Sequence, residues 1–504
     1  MKTLKYITLL FIGVALFSCE VDYYSDPNSP EIAPTYGIMN RVQKRFMDDT
    51  RDEWFSGRQS LLWVQYWNQV NYTEEDRFQY RETVNQGAWD DIYKNAQDLH
   101  DIIALNTAEE TKGDMAQYGP NVNQIAAARI MLTYVYLHAV ELWGDVPYAS
   151  YGNDNEKFQA NALKTKGIDR PVYASQEDIY PDMLKELDEA QASIVTGENM
   201  IDGDNFFGGD AAQWKKFANS LRLRIANRVK DVYSGAQAHI DAAIAAGVMA
   251  SNGDNAGVTY EANAVNGAPM YRAFVVSARN DFAPSMQFVE LLQGKRGTFG
   301  AVDPRLDVFV ADNDDGFKVG IPLTDANSTV TKFTDESMPG DAILAADYTQ
   351  MYMEYSEVCF IMSEINNWDQ TWYEKGVKAS MERWGIDAAA IDAYVDGLPA
   401  ANEENVMMQK YIALYMQPME AWSEYRRTGY PNTLVKPNET YTYTWPTKDG
   451  DVSAEYTFAP IGGLTDLPSR NNYLLNEESI NKENKDAAAS AIGGDEQSTK
   501  LWWQ

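Results

Sequence analysis

Residues 124–148, QIAAARIMLTYVYLHAVELWGDVPY, constrain the fold of this chain more than any other stretch. Apolar residues recur there at steps of three and four, which predicts one apolar stripe of an amphipathic helix. Arg129 and Glu141 fall outside the stripe. Gly144 provides a left-handed cap at the C-terminal end, and Pro147 prevents the helix from resuming. The pattern predicts a core helix against which other helices pack.

Helical periodicity continues through most of the 504 residues. The predicted helices cover approximately residues 35–55, 57–70, 89–102, 173–194, 214–229, 285–292, 350–366, 372–384 and 403–425. Successive amphipathic helices suggest tetratricopeptide-like hairpins, in which each helix buries its stripe against the next. No linker rich in Gly, Ser or Pro divides the chain, so we predict one mainly α-helical domain over residues 35–504.

The composition changes between residues 253 and 347, where Gly, Asn, Asp, Ser, Thr and Pro predominate. This change predicts long irregular loops packed on the helical scaffold. Long loops on a rigid scaffold are where recognition usually takes place, so we expect the ligand face to draw on this region.

The first residues are typical of an exported lipoprotein. Two lysines precede an apolar run at residues 6–17, which is too short to span a bilayer and is typical of a signal peptide. The run ends in LFSC, which resembles a lipobox. We therefore predict a signal peptide at 1–18, lipidation of Cys19, and a tether at 19–34. A plain secretory signal is the alternative.

Charge and cysteine content exclude several classes of protein. The formal net charge of −32 repels nucleic acid and anionic lipid headgroups, and it argues against a strongly polyanionic ligand unless a local basic patch overrides it. With Cys19 acylated, Cys359 has no partner, so the hydrophobic core must hold the fold without a disulfide.

One predicted helix carries four basic residues that suggest either an anion site or a solvated or ion-paired helix face. They are Lys215, Arg222, Arg224 and Arg228. We favour the helix face, because charges on helices usually pair with neighbouring residues or face solvent.

Four strings, in order along the chain, resemble one known family. They are Ala126, Arg129 and Tyr136 followed by WGDVPY at 143–148, WKKFANSLRLR at 214–224, DPRL at 303–306, and EAWSEYRRTGYP at 420–431. The string LPSRNNY at 467–473 is a weaker fifth match. Together they resemble the SusD/RagB family of lipid-anchored nutrient-binding proteins of the Bacteroidota outer membrane.

The resemblance implies a fold, a function and a location. Members of this family build their frame from tetratricopeptide-like helix pairs and close over a TonB-dependent, SusC-like transporter, to which they deliver a nutrient oligomer, most often a glycan. The acidic residues after Cys19 resemble the surface-export signal of Bacteroidota lipoproteins, so we expect the outer membrane, facing the cell exterior. A peptide-binding member, a helical-repeat scaffold and a hydrolase are the alternatives.

Loop aromatics with polar neighbours are the predicted ligand-binding residues. A sugar ring has apolar C–H faces that aromatic rings can cover and hydroxyl groups that Asp, Asn and Arg can bind. An early and a central stretch provide such residues: Tyr66, Trp67, Asn71, Tyr72 and Arg77, and then Tyr271, Arg272, Arg279, Asn280 and Phe282. Burial in the core is the alternative for each aromatic.

Catalytic and metal-binding motifs are not found in the sequence. The histidines are His100, His138 and His239, and no G-x-S-x-G, H-E-x-x-H or C-x-x-C motif occurs. The acidic string at 312–316 fails the EF-hand pattern, because Ala311 and Pro322 occupy ligand positions. We therefore predict a protein that binds without catalysis and needs neither cofactor nor metal; a calcium site outside the EF-hand pattern is the alternative.

Overall fold

The computed structural model describes residues 32–323 and 333–504. Its longer helices are α1 (Thr35–Thr50), α2 (Glu82–Thr107), α3 (Asn121–Trp143), α4 (Gln176–Ser193), α5 (Ala211–Arg228), α6 (Ala236–Ala246), α7 (Tyr355–Ile365), α8 (Gln370–Arg383), α9 (Ala388–Asp396), α10 (Glu403–Ala413), α11 (Pro418–Thr428) and α12 (Lys482–Ala491). The predicted signal peptide, Cys19 and the tether as far as residue 31 lie outside the described residues.

Helices that follow each other in the chain also pack against each other. α1 packs on α2, α2 on α3, α3 on α4, α4 on α5, and α5 on α6. In a second group, α7 packs on α8 and α10, and α8 packs on α9. α7 also contacts α5, which joins the two groups. The predicted scaffold of tetratricopeptide-like helix pairs is confirmed.

The prediction of a single apolar stripe on α3 is wrong. Every residue from Ala126 to Trp143 is buried, because α1, α2, α4 and α5 all contact this helix. By length and composition α3 is apolar enough to cross a membrane, but 94% of its apolar window lies inside the protein. Gly144 ends the helix with φ 89° and ψ −121°, a positive-φ conformation that differs from the predicted left-handed helical cap.

A buried network of ion pairs joins the helices at the centre of the fold. Arg228 of α5 contacts Glu141 of α3 at 3.1 Å and Glu420 of α11 at 2.6 Å, and it also pairs with Glu424. Arg224, one turn earlier, donates to Glu357 of α7 at 2.7 Å. The network therefore connects four helices that lie far apart in the sequence.

Two further cations extend this network and hold two of its carboxylates ionised: Arg427 pairs with Glu364 and Glu424, and Lys410 pairs with Glu424. Burial alone would raise the pKa of Glu364, but the charge and hydrogen bonds of Arg427 hold it at about 2. Arg427 and Lys410 likewise hold the pKa of Glu424 well below its usual range against the effect of burial. These carboxylates are therefore charged in the folded core, where each depends on its cations.

The favoured interpretation of the basic residues on α5 is confirmed for its arginines. Arg222 pairs with Asp188 at 2.6 Å, and Arg224 and Arg228 belong to the central network. All three guanidinium groups are buried rather than solvated, while Lys215 is half-buried on the same helix. Asp210 caps the start of α5 by accepting from the backbone N–H of Ala212 and Gln213.

Short elements connect the helices. Their helical turns are Ser56–Arg58, Ser60–Trp63, Lys112–Met115, Ala116–Tyr118, Ala162–Lys166, Asn252–Asp254, Tyr271–Val276, Met286–Leu292, Leu306–Phe309 and Glu477–Ile480. The strands are β1 (Trp67–Gln69), β2 (Ala256–Thr259), β3 (Phe282–Pro284), β4 (Thr349–Met353), β5 (Thr440–Thr447) and β6 (Gly450–Thr457). The antiparallel pairs are β1–β3, β2–β4 and β5–β6.

Two of these elements differ from the prediction. The expected helix over residues 57–70 is wrong, since only Ser60–Trp63 is α-helical and Trp67–Gln69 is a strand. The β5–β6 hairpin was not predicted, although its Thr/Tyr alternation and the following Gly450 are typical of a hairpin. The predicted short helix at 285–292 is confirmed as Met286–Leu292, with Ser285 as its cap.

We expect the central ion network to control stability. Replacing Arg228 by Met leaves Glu141, Glu420 and Glu424 buried without their shared cation, which costs about 3–5 kcal/mol in the free energy of unfolding. Urea denaturation followed by circular dichroism measures this loss. Lys112→Met, which removes an exposed ion pair with Glu109, is the control and should change stability by less than about 0.5 kcal/mol. A loss below about 1 kcal/mol for Arg228→Met would contradict the expectation.

Candidate functional site

The pairing of β1 with β3 brings the early and central stretches together. Gln69 lies opposite Phe282, and the backbone N–H of Val70 donates to the carbonyl oxygen of Asp281 at 2.7 Å. Asn71 and Tyr72 follow β1, residues 279–280 precede β3, and Tyr72 acts electrostatically on Arg279, so the two stretches lie near each other at this end of the pair. Two segments that were predicted separately therefore form one surface.

Three of the predicted ligand-binding aromatics belong to the core. Tyr66 and Trp67 are fully buried and Phe282 is 1% exposed. Tyr66 stacks on Tyr411 with ring centroids 4.4 Å apart, and the Trp67 indole N–H donates to the hydroxyl of Tyr415 at 2.8 Å. This placement corrects the expectation that these three rings face a ligand, because core side chains enclose them. Their role is to anchor the buried strands β1 and β3 on the scaffold.

Tyr72 is the exposed aromatic of the early stretch. Its exposed fraction is 66%, and its backbone φ is 59°, a left-handed conformation that is uncommon outside glycine. Ala278, just before Arg279, has φ 50°. Backbone strain of this kind persists only where surrounding structure holds it, and it concentrates at binding and catalytic sites. The rigid β1–β3 pair thus presents an aromatic ring to solvent.

Polar residues accompany Tyr72 in the early stretch and Arg279 in the central stretch. Asn280 is exposed and Asn71 half-buried. Arg279 donates through Nε to Asp281 at 2.9 Å. The hydrogen bond with Asp281 raises the pKa of Arg279, and Glu53 and Tyr72 act electrostatically in the same direction, so these groups share one neighbourhood.

The remaining predicted residues lie in different surroundings. Arg77 donates through Nε to the carbonyl oxygen of Ala459 at 2.8 Å, which ties it to the segment after β6. Tyr271 is half-buried against the core and begins the π-helical turn Tyr271–Val276. Arg272, in the same turn, pairs with Asp48 of α1 at 2.8 Å. π-Helical turns occur frequently at functional sites, and this one forms a wall of a cleft.

That cleft lies between the end of α1 and the π-helical turn and has a volume of about 680 Å³. It is lined by Arg41, Lys44, Arg45, Asp48, Asp49, Asp52, Glu53, Pro269, Arg272, Ala273 and Ser277. Glu53 connects the cleft to the neighbourhood of Arg279 and Tyr72. The candidate site therefore consists of a charged cleft and an adjoining rim that carries an exposed aromatic.

Sequence reasoning missed two parts of this site. The predicted first helix extends to residue 55, whereas α1 ends at Thr50 and leaves Trp54 43% exposed in the following turn. The Arg58 guanidinium lies over the rings of both Trp54 and Phe282, at 5.0 and 5.7 Å.

The acidic residues at 48–53 are the second part of the site that was not predicted. Their signal was available, because acidic residues are unfavourable at the C-terminal end of a helix and so suggest another role.

The cleft perturbs two of its carboxyl groups. Burial and the charge of Asp91 raise the pKa of Asp49 to about 6. Burial raises the pKa of Asp52 to about 7, and the charges of Glu53 and Asp49 add to this effect. A hydrogen bond from the backbone N–H of Phe55 at 2.8 Å opposes it. At neutral pH these two groups carry less negative charge than ordinary aspartates.

None of the three histidines lines this cleft. Burial lowers the pKa of His138 to about 3 and that of His100 to about 4. No group of three or more His, Cys, Asp or Glu arranged to hold a metal ion occurs within residues 32–323 and 333–504. In the acidic string at 312–316, the Asn313 side chain accepts from the backbone of Asp315 and Phe317, which makes the string a turn.

The architecture is that of a tetratricopeptide-like helical protein whose loops and short strands form a polar cleft with an aromatic rim. A family model described as "Starch-binding associating with outer membrane" matches residues 27–446, and a second, described as "Susd and RagB outer membrane lipoprotein", matches residues 399–504. The chain belongs to the SusD-like family, as the four sequence strings predict. The family is one of binding proteins.

Solved structures have the same fold. A SusD homologue from Parabacteroides distasonis is 21% identical, with a TM-score of 0.75 and coverage of 93% of this chain and 98% of its own. A protein described as chitin-binding is 24% identical, with a TM-score of 0.72 and coverage of 93% and 99%. A chitin-binding SusD homologue from Flavobacterium johnsoniae is 22% identical, with a TM-score of 0.70 and coverage of 93% and 98%. No curated protein matches the chain.

The raised pKa of Asp52 gives a testable pH dependence. A carboxyl group whose pKa is about 7 in the folded state and near 3.8 when unfolded stabilises the fold below pH 3.8, and this stabilisation is lost as the pH rises through 7. Asp52→Asn keeps an acceptor for Phe55 and cannot ionise. We expect it to be more stable than the wild type by about 4 kcal/mol at pH 8, since each pKa unit corresponds to about 1.36 kcal/mol, with the difference becoming small near pH 4.

Urea denaturation at a series of pH values measures this difference. Glu109→Gln, at an exposed position, is the control and should show little dependence on pH. If the difference between Asp52→Asn and the wild type did not change between pH 4 and pH 8, the assignment of a raised pKa would be wrong.

Proposed function

We propose that this protein is a surface glycan-binding lipoprotein that captures oligosaccharides without cleaving them and delivers them to a SusC-like, TonB-dependent transporter in the outer membrane. The observation that carries the proposal is the exposed ring of Tyr72, held in a left-handed backbone conformation beside Arg279, Asn280 and the charged cleft. Such a protein would serve polysaccharide utilisation by the cell.

The chemistry of this surface suits a sugar chain. A flat, solvent-exposed ring can cover the C–H face of a pyranose, and the second exposed aromatic, Trp54, adds apolar area on the Glu53 side. The amide of Asn280 can both donate to and accept from hydroxyl groups. The cleft volume of about 680 Å³ lies within the range of ligand pockets that bind small molecules.

The related proteins favour a glycan as the ligand. The family model that matches most of the chain is described as starch-binding, and two similar structures are described as chitin-binding. The predicted ligand residues Asn71, Tyr72, Arg272, Arg279 and Asn280 remain in the proposed site, and Trp54 and the acidic residues of the cleft join them.

The start of the chain and the family description support the proposed location. In this proposal residues 1–18 direct export, Cys19 carries the lipid, residues 19–34 form a tether, and residues 35–504 form the single binding domain. The family description names outer membrane lipoproteins. The protein would face the cell exterior, where its ligands occur, and would bind the membrane only through its lipid.

Replacing Tyr72 by Ala tests the site. We expect the affinity for the bound glycan to fall by about tenfold, equivalent to about 1.4 kcal/mol, because the mutation removes the stacking surface. Affinity electrophoresis against a panel of polysaccharides identifies the ligand, and isothermal titration measures the change. Tyr72→Phe keeps the ring and should retain most of the affinity, and Tyr36→Ala, at the start of α1, is the control at an exposed tyrosine. Unchanged affinity in Tyr72→Ala would exclude this surface, and binding of peptides alone would reject the ligand class.

Replacing Cys19 by Ser tests the anchor and the partner. In the native host we expect the variant to leave the membrane fraction and to lose its acyl group in mass spectra. The wild type, purified in mild detergent, should bring a TonB-dependent barrel with it. Cys359→Ser, at a buried position, is the matched control and should remain anchored. A wild type that purifies from membranes without such a barrel would contradict the proposed partner.

A further inference from the structure

The cationic groups of the candidate site are already neutralised within the protein. Lys44 and Arg272 both pair with Asp48, at 2.6 and 2.8 Å, and Arg45 pairs with Asp49 at 3.1 Å. At the edges of the site, Arg41 pairs with Asp98 and Arg279 pairs with Asp281. Every cation that lines the cleft or the Tyr72 rim therefore has a carboxylate partner.

The cleft contains more carboxylates than its ion pairs use. Four cationic and four acidic side chains line it, yet two of the cations share Asp48, and Arg41 is paired from outside the lining by Asp98. Asp52 and Glu53 have no ion-pair partner within 4.0 Å in the described part of the chain. The groups left over for a ligand are acidic or uncharged.

We propose that the ligand is an uncharged oligosaccharide and that this site discriminates against glycans carrying carboxylate or sulfate groups. The inference rests on the proposed function and specifies its ligand class. It concerns the electrostatics of the site, whereas glycan binding itself rests on the exposed aromatic rings.

The physical reason lies in what each kind of ligand requires. An anionic sugar would have to share a cation with the carboxylate that already pairs with it, or else lie beside Glu53 and the partly ionised Asp52, and like-charge repulsion costs free energy in either arrangement. A neutral sugar avoids that cost. Its hydroxyl groups can donate to free lone pairs of Asp48 and Asp49, the paired carboxylates that line the cleft, and such charge-assisted hydrogen bonds are stronger than neutral ones.

The charge of the whole chain acts in the same direction at longer range. A net charge of −32 repels an approaching polyanion and slows its association, and this repulsion weakens as salt screens it. A local basic patch could have overridden this repulsion, but the site contains only paired cations. The long-range and local effects therefore select against the same ligands.

Replacing Asp281 should weaken the discrimination of the site against anionic glycans. Asp281 is largely buried and receives both Nε and a terminal nitrogen of Arg279, which is itself about 42% exposed on the rim. Asp281→Asn removes the negative charge but keeps the side-chain shape, so the Arg279 guanidinium becomes available to an external carboxylate. Its backbone carbonyl, which accepts from Val70, is not altered.

A matched pair of ligands tests the inference on the full-length protein. Affinity electrophoresis first compares neutral polysaccharides (starch, xyloglucan, galactomannan and soluble chitin oligomers) with polygalacturonate, alginate and chondroitin sulfate. A neutral glycan that binds is then oxidised at its primary hydroxyl groups to carboxylates, and titrations compare the two forms at low and physiological salt. We expect the oxidised form to bind the wild type at least about tenfold more weakly than the neutral form.

The affinity of the Asp281→Asn variant for both forms of the glycan provides the second test. Asp281→Asn should raise the affinity for the oxidised form by about tenfold and make it salt-dependent, while the neutral form binds nearly as before. Glu109→Gln, which makes the same change in net charge at an exposed ion pair, is the control and should leave both affinities unchanged. A circular dichroism spectrum like that of the wild type establishes that the variant folds.

The outcomes separate the inference from the proposed function. Equal or tighter binding of the oxidised form, or binding of anionic polysaccharides alone, would overturn the inference while leaving glycan binding intact. A failure of Asp281→Asn to increase binding of the oxidised form would overturn the role of the Arg279–Asp281 pair. Absence of binding by every polysaccharide would overturn the proposed function and the inference together.

Discussion

The ion pairs around Arg228 are the interaction on which the rest of this structure depends. A buried guanidinium contacts carboxylates from α3 and α11, and its neighbour Arg224 reaches α7. Buried ion pairs contribute little net stability by themselves, but an unpaired member is strongly unfavourable, so only an arrangement that satisfies all of them is tolerated. The network therefore specifies how the two groups of helices meet.

The scaffold positions the candidate site through a few fixed contacts. Tyr66 and Trp67 lock β1 against Tyr411 at the end of α10 and Tyr415 just beyond it, and β1 in turn holds β3. The rim at Tyr72 begins where this pairing stops, and the cleft extends from the C-terminal part of α1 into the turn that follows it. Both parts of the site thus lie at the boundary between regular elements and irregular chain, where backbone strain can be supported by packing on one side.

The helical scaffold could be predicted from the sequence because the apolar periodicity and composition of each segment indicate its helix without reference to distant residues. The helix pairs, the cap at Asp210 and the short helix after Ser285 are all local patterns. Whether an aromatic is buried depends on tertiary contacts, so Tyr66, Trp67 and Phe282 could not be separated from Tyr72 by inspection. The ion pairs of Arg272 with Asp48 and of Arg279 with Asp281 were likewise not predicted. For Arg272 the pair depends on a contact between residues far apart in sequence.

The antiparallel contact between β1 and β3 also determines when during folding the site can exist. Near this contact, the Ser285 hydroxyl donates to the carbonyl oxygen of Gln65, which lies 220 positions earlier in the chain. Closing so long a loop carries an entropic cost that is recovered only after the intervening helices have packed. The candidate site therefore cannot form until the chain between Gln65 and Ser285 has folded together.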